Sequence, residues 1–276
     1  MVTISTDSCA DLSSALIRDR DIKVIPLQVL VDGRNIRDGE MSLEELFASV
    51  EKTGQLPKTS APAVADFIDF YAGSEEVVFI GISEKLSATI QSARLATSEL
   101  KSQRIFIVDS KNLSTGIGLL VIKAADLRDH GLNAQQIASE LEKLVAKVRT
   151  SFVIDTMEYL YKGGRCSGLQ ALAGSLLQIR PIITVQEDGT LGVKHKIRGS
   201  RAKALNTLLS DFKADLPDID LQRVFVTHTS YPEDADYLVE ELKKLAPVEQ
   251  VLVTSAGATI ASHCGPRTIG ILYLKR

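Results

Sequence analysis

Residues 77–110 read "VVFIGISEKLSATIQSARLATSELKSQRIFIVDS". Two near-continuous apolar runs, 77–83 and 104–110, flank a polar segment at 84–101 that reads as one long helix. A strand apolar along its whole length is one covered on both faces, as strands of parallel sheets are. Strand, helix, strand then implies a parallel pair joined by a right-handed crossover. The same texture runs outward. "VTIST" (2–6) is a strand followed by a turn and helix in "DSCADLSSALIRDR". "IKVIPLQVLV" (22–31) is an extended segment broken by Pro26, and "DGRNIRDGE" (32–40) is turn-rich. "SLEELFASVEKTG" (42–54) carries Ser42 as helix cap, Glu45 at capping-box distance and Gly54 as a stop. Further helices are expected at 63–72, 115–130 and 134–148.

From about residue 150 the pattern changes. "TSFVIDT" (150–156) is a strand leading into "MEYLYKGGRCSGLQALAGSLLQIRP", helical around a Gly-Gly break. "IITVQEDGTLGVKHKI" (182–197) reads as two strands joined at "EDG", a hairpin signal. Helices at 200–214 and 232–245 alternate with strands at 223–229 and 250–255. A short helix in "AGATIASHCGP" and a strand at 268–274 close the chain. The expected fold is α/β in two domains, 1–150 with a mainly parallel sheet and 151–276 with a mixed one.

Composition narrows the function. The 276 residues carry 32 basic and 35 acidic side chains for a net charge of −3, without the basic excess that general nucleic-acid binding requires. Three cysteines, far apart, match neither a disulfide framework nor a zinc ribbon. The opening residues lack a charged region followed by an apolar run, and no apolar stretch is long enough to span a bilayer, so a cytoplasmic protein without membrane insertion is expected. No phosphate-binding loop, HExxH or GxSxG pattern occurs; "GISEK" has lysine where the second glycine of the elbow belongs. No metal or cofactor is expected.

Hydroxyls and glycines instead gather just after strands, where ligands sit in open α/β sheets. Thr6, Asp7 and Ser8 end the first strand and read as a turn, with Asp11 capping the next helix, or as ligand contacts. In "KTSAP" (58–62), Thr59 and Ser60 read as a helix cap ahead of Pro62, yet one cap needs one hydroxyl. Ser83 ends the strand at 77–83. Ser87 falls in the first turn of the following helix, where unpaired N–H groups favour an anion. His263 lies between a helix and the last strand, with Gly265 and Pro266 fixing a turn; His228, at a strand end, is a second histidine candidate. Gly163 and Gly164 set Arg165 on a loop, from which it can reach a phosphate or carboxylate or pair with its neighbours. Lys194, Lys196, Arg198, Arg201 and Lys203 share one side of a strand and helix, as solvated surface or as a contact for an acidic partner.

Taken in order, "TDSCADL", "KTSAP", "ISEKLSATIQSA", "YLYKGGRCSG", "RPIITVQEDG" and "HCGP" cover nearly the whole chain, and the set resembles the DegV family of bacterial fatty-acid-binding proteins. The resemblance implies two α/β domains with an acyl chain buried between them. It implies carboxylate binding by Ser60, with Thr59 beside it, by Ser87 and by His263, and a head-group or kinase contact by Arg165. It further implies a separate ATP-dependent fatty acid kinase as partner, in phospholipid metabolism, with the protein a carrier rather than an enzyme. Ala88 stands where the family usually has glycine, and Arg267 where it usually has a small residue. "GLQALAGSLLQI" and "GIGLLVI" are candidate tunnel walls or ordinary core. Two rivals stay open: a serine-dependent acyl hydrolase or transferase using Ser87 or Ser60 with His263, and a phosphometabolite-binding regulatory module using Arg165.

Overall fold

The computed structural model describes residues 2–166 and 179–276. In chain order its elements are β1 (Val2–Asp7), α1 (Ser14–Asp19), β2 (Ile22–Ile25), β3 (Gln28–Val31), β4 (Arg34–Arg37), α2 (Leu43–Thr53), β5 (Lys58–Ser60), α3 (Val64–Tyr71), β6 (Glu76–Gly81), α4 (Thr89–Glu99), β7 (Ile105–Asp109), α5 (Thr115–Asp129) and α6 (Ala134–Val145). There follow β8 (Val148–Val153), α7 (Glu158–Gly163), β9 (Ile179–Val185), β10 (Leu191–Arg198), α8 (Arg201–Asp215), β11 (Ile219–His228), α9 (Pro232–Leu245), β12 (Gln250–Ser255), α10 (Ala258–Cys264) and β13 (Ile269–Lys275).

The expected mixed α/β architecture is present. Strands β2-β1-β6-β7 form a four-stranded sheet, parallel throughout. Strands β10-β9-β8-β13-β11-β12 form a six-stranded sheet, antiparallel except for β11 beside β12. Helix α5 lies between them, touching β1 and β6 of one sheet and β8, β11 and β13 of the other. Residues 115–122 are all buried, as a helix apolar on every side must be. "GIGLLVI" is therefore central core. The partly buried Asp126 carboxylate near the end of α5 braces both sides, 3.0 Å from Arg20 and 2.6 Å from Arg223.

A third, three-stranded sheet, β4-β3-β5, is the departure from the sequence reading. Pro26 and Leu27 divide 22–31 into β2 and β3, so the segment serves two sheets. The turn-rich stretch turns back on itself: Asp32 and Gly33, both at positive φ, form the Asp-Gly turn that joins β3 to β4. "KTSAP" opens with strand β5, paired to β3, rather than with a hydroxyl cap. Helix α3 starts four residues later, capped by Asp66, whose carboxylate accepts from Ala63 N–H at 2.8 Å. The α2 capping box, by contrast, stands as expected, with Ser42 and Glu45 reciprocally bonded.

Asp11 does not cap α1; Ser13 does. Asp11 is buried and reaches across the molecule, accepting 2.8 Å from the Gly257 N–H that opens α10 and 2.6 Å from the Ser114 hydroxyl that opens α5. Burial pushes its carboxyl well above the ordinary carboxylate range. Asp11→Asn, which keeps the side chain's shape and one acceptor oxygen, is expected to hold the fold better than Asp11→Ala. Asp11→Ala removes the partner of the buried Ser114 hydroxyl and of the partly buried Gly257 N–H and is expected to lower unfolding stability by about 2–4 kcal/mol. Denaturant unfolding of the two variants checks this; equal losses would show that the side chain is not the brace described.

Candidate functional site

Thr59 is the middle residue of β5. Its neighbours Lys58 and Ser60 are exposed while Thr59 turns inward, because side chains alternate across a strand. Its Oγ1 lies 2.7 Å from His263 Nε2, a contact between residues 204 positions apart. Of the hydroxyl pair, the geometry brings Thr59 to the site and leaves Ser60 on the outer face, opposite Gln28.

His263 projects from α10. Burial, and next the charge of Arg165, lower its pKa from the ordinary 6.5 to about 4. The ring is thus neutral near neutrality. Its buried Nδ1 has no hydrogen-bond partner among the described residues and packs against Gly163, where a Cβ would stand only 2.7 Å away. The first glycine of the Gly-Gly pair is therefore space for the histidine. The second, Gly164, ends α7 at positive φ, and Arg165 follows with Nη1 donating 2.5 Å to the Gly163 carbonyl.

Ser87 sits just ahead of α4 rather than within its first turn. Its Oγ accepts 3.3 Å from Thr89 N–H and lies 2.8 Å from Thr89 Oγ1. Ala88 has φ −76°, which any residue adopts, so the alanine requires no backbone strain. Arg267 does have positive φ. Its guanidinium lies 4.3 Å over the Tyr231 ring and 3.7 Å from Asp155, so its charge is spent away from the site.

Thr59, Ser87, Arg165 and His263 border one cavity of about 230 Å³. The rest of its wall is largely aliphatic, with Leu27, Ile82, Leu86, Leu113, Leu160, Leu191 and Ile260 among the contributors. On the polar side Thr59, Arg165 and His263 also border an outer chamber of about 430 Å³, which adds Lys58 and Lys162. The arrangement is a polar antechamber, a ring of hydroxyl, imidazole and guanidinium, and an apolar interior. Charge-assisted hydrogen bonds at such a ring suit an anion, and the interior suits a hydrocarbon.

Other candidates fall elsewhere. Both Asp7 oxygens accept backbone N–H groups, from Cys9 and Ile82, and burial raises its pKa to about 7. Ser83 donates to the Gly189 carbonyl. His228 borders a small neighbouring cavity. The basic cluster divides: Lys194 pairs with Asp211, whereas Arg201 is nearly buried between Asp234 and Asp155. The candidate wall "GLQALAGSLLQI" lies almost wholly outside the described residues. Thr259 was not anticipated. It borders the cavity one helical turn from His263, its buried hydroxyl without a partner among the described residues, and the i, i+4 spacing in "TIASH" was the available signal. Among the described residues, no three His, Cys, Asp or Glu side chains are grouped to hold a metal, and no helix is long and apolar enough to cross a membrane.

His263 sets a pH dependence. The unfolded ring titrates near 6.5 and the folded one near about 4, so the unfolded chain binds a proton that the fold excludes. Its contribution to stability is full above 6.5 and is lost as pH falls toward 4. Thermal unfolding across that window is expected to fall more steeply in the wild type than in His263→Asn; parallel profiles would show that the ring is not held neutral.

Comparison with known proteins places the chain in a family. The family model described as "Uncharacterised protein, DegV family" matches residues 1–276. A DegV domain-containing protein of Caldanaerobacter subterraneus subsp. tengcongensis is 31% identical over 276 residues, covering 99% of this chain and 98% of that one. A solved structure describing fatty acid binding of a DegV family protein from Thermus thermophilus is 33% identical, with TM-score 0.93 over 100% of this chain and 99% of that chain. That of DegV, a fatty acid binding protein from Bacillus subtilis, is 29% identical, with TM-score 0.87 over 100% and 99%. With its motifs in order and the family model matched from end to end, the chain belongs to the DegV family.

Proposed function

We propose that this protein binds a long-chain fatty acid and presents its carboxylate to a separate ATP-dependent fatty acid kinase, which forms the acyl phosphate. In this reading the halves 1–150 and 151–276 act as two domains of a cytoplasmic carrier. The observation that carries it is the mixed lining of the cavity: Thr59, Ser87, Arg165 and His263 among otherwise largely aliphatic side chains, with an adjoining chamber that adds Lys58 and Lys162. Fatty acid binding by relatives of full-length similarity supports it.

The chemistry follows from the hydrogen bonds. A neutral His263 with its proton on Nε2 donates to Thr59 Oγ1, leaving the Thr59 proton free for a carboxylate. Ser87, already accepting from Thr89 N–H, supplies a second donor. Arg165 adds positive charge without closing the site. Each methylene of the tail buried among the leucines and isoleucines contributes about 0.8 kcal/mol. The chamber with Lys58, Lys162 and Arg165 is the face from which a phosphoryl donor on another protein would approach.

The geometry favours this over the hydrolase. A nucleophilic serine needs a base within hydrogen-bond reach and an orienting group on that base. Ser87 is engaged by Thr89, His263 by Thr59, and among the described residues no carboxylate meets His263 Nδ1.

Mass spectrometry of an organic extract of the purified protein is expected to show fatty acid near one per chain. Absence of lipid, together with no thermal shift on adding palmitic acid, would overturn the carrier. Thr59→Val is expected to weaken palmitate binding by about 10- to 100-fold, the worth of one hydrogen bond to a charged group. Ser60→Ala is expected to leave it within about threefold, because Ser60 faces outward. The reverse order would place the carboxylate on the other face of β5.

A further inference from the structure

A second cavity, of about 20 Å³, adjoins the first. Leu113, Ile260 and Cys264 border both. The main cavity thus shares its polar wall with the outer chamber and an apolar wall with this inner hole. The inner hole is ringed by serine and threonine, yet their hydroxyls are committed to protein partners, from Thr150 on Asn112 to Thr268 on the carbonyl of Cys264. With its hydroxyls committed, and His228 Nδ1 accepting from Tyr231 N–H, such a hole offers water few partners and suits hydrocarbon.

The partition is thin and its members differ. Leu113 leads into the buried start of α5, beside the hydrogen bond between Ser114 and Asp11. Cys264 ends α10, and its carbonyl holds Thr268. Ile260 stands mid-helix on α10, three residues from His263, and its side chain touches both spaces without a hydrogen-bonding duty. It is the member whose size can change without moving the frame. We infer that Ile260 sets the acyl-chain length the protein accepts, its side chain standing between the main cavity and the inner apolar hole and acting as the stop for the methyl end of the tail. This rests on the fatty acid reading and specifies which members of that class bind.

The test is a chain-length profile. Affinities of the delipidated full chain for myristic, palmitic, stearic and arachidic acids are measured by isothermal titration, for wild type, Ile260→Val, Ile260→Ala and Ile260→Phe. Ratios between acids are read, because a general loss of stability lowers all four alike. Opening the partition in Ile260→Ala is expected to raise the preference for the next longer acid by roughly tenfold, the worth of two further buried methylenes. Ile260→Val moves it part of the way, and Ile260→Phe, which fills the space, moves the optimum to a shorter acid. Ratios that stay constant across all four proteins overturn the inference while the carrier reading stands. Binding of none of the acids to the wild type overturns both.

Discussion

A buried carboxylate positions the helix on which the site depends. Asp11, in the loop after β1, accepts from the first N–H at the start of α10 and from the serine that opens α5. Without it the buried Ser114 hydroxyl and the partly buried Gly257 N–H would lose their shared partner, at a cost of about 1–3 kcal/mol for the buried group. The bond fixes α10 against the parallel sheet although α10 lies between two strands of the mixed sheet in sequence. Ile260, His263 and Cys264, as well as Thr259, take their positions from that helix. The cavity exists because elements from both ends of the chain are held at one place.

Around that helix the fold gathers polar and apolar side chains at one cavity. The outer chamber adds Lys58 and Lys162 and shares Thr59, Arg165 and His263 with the main cavity, whose remaining wall is Ser87 and Thr259 among largely aliphatic side chains. Each placement follows from local structure. Thr59 points inward because β5 is a strand and its neighbours point out. Ser87 faces the cavity because α4 starts two residues after it. His263 stays neutral because it is buried beside a cation. An amphiphile with one anionic end would match this lining in a single orientation, which is the basis of the proposed fatty acid binding.

Much of this was legible in the residues. The apolar runs at 77–83 and 104–110 are adjacent parallel strands, and the hairpin signal at "EDG" joins β9 to β10. Thr59, Ser87, Arg165 and His263 do meet at one cavity. What the sequence concealed was which face a side chain takes. A hydroxyl pair before Ala-Pro reads the same at a helix start and at a strand end, and only pairing with β3 decides that Thr59 turns inward and Ser60 outward. Asp11 reads as the nearest helix cap because its true partner is 246 residues away. Arg267 suggested extra charge at the site, whereas Tyr231 and Asp155, distant in sequence, take it up. Long-range partners decided each of these cases, and local patterns do not carry them.

The central claim is that one end of the cavity is built for a carboxylate and the other for a hydrocarbon. A crystal structure of the protein with palmitic acid tests it most directly. The account predicts carboxylate oxygens within hydrogen-bond distance of Thr59 Oγ1 and Ser87 Oγ, with the tail among Leu27, Ile82, Leu113 and Ile260. A carboxylate on the outer face at Ser60, or a tail lying in the basic chamber with the interior empty, would contradict it.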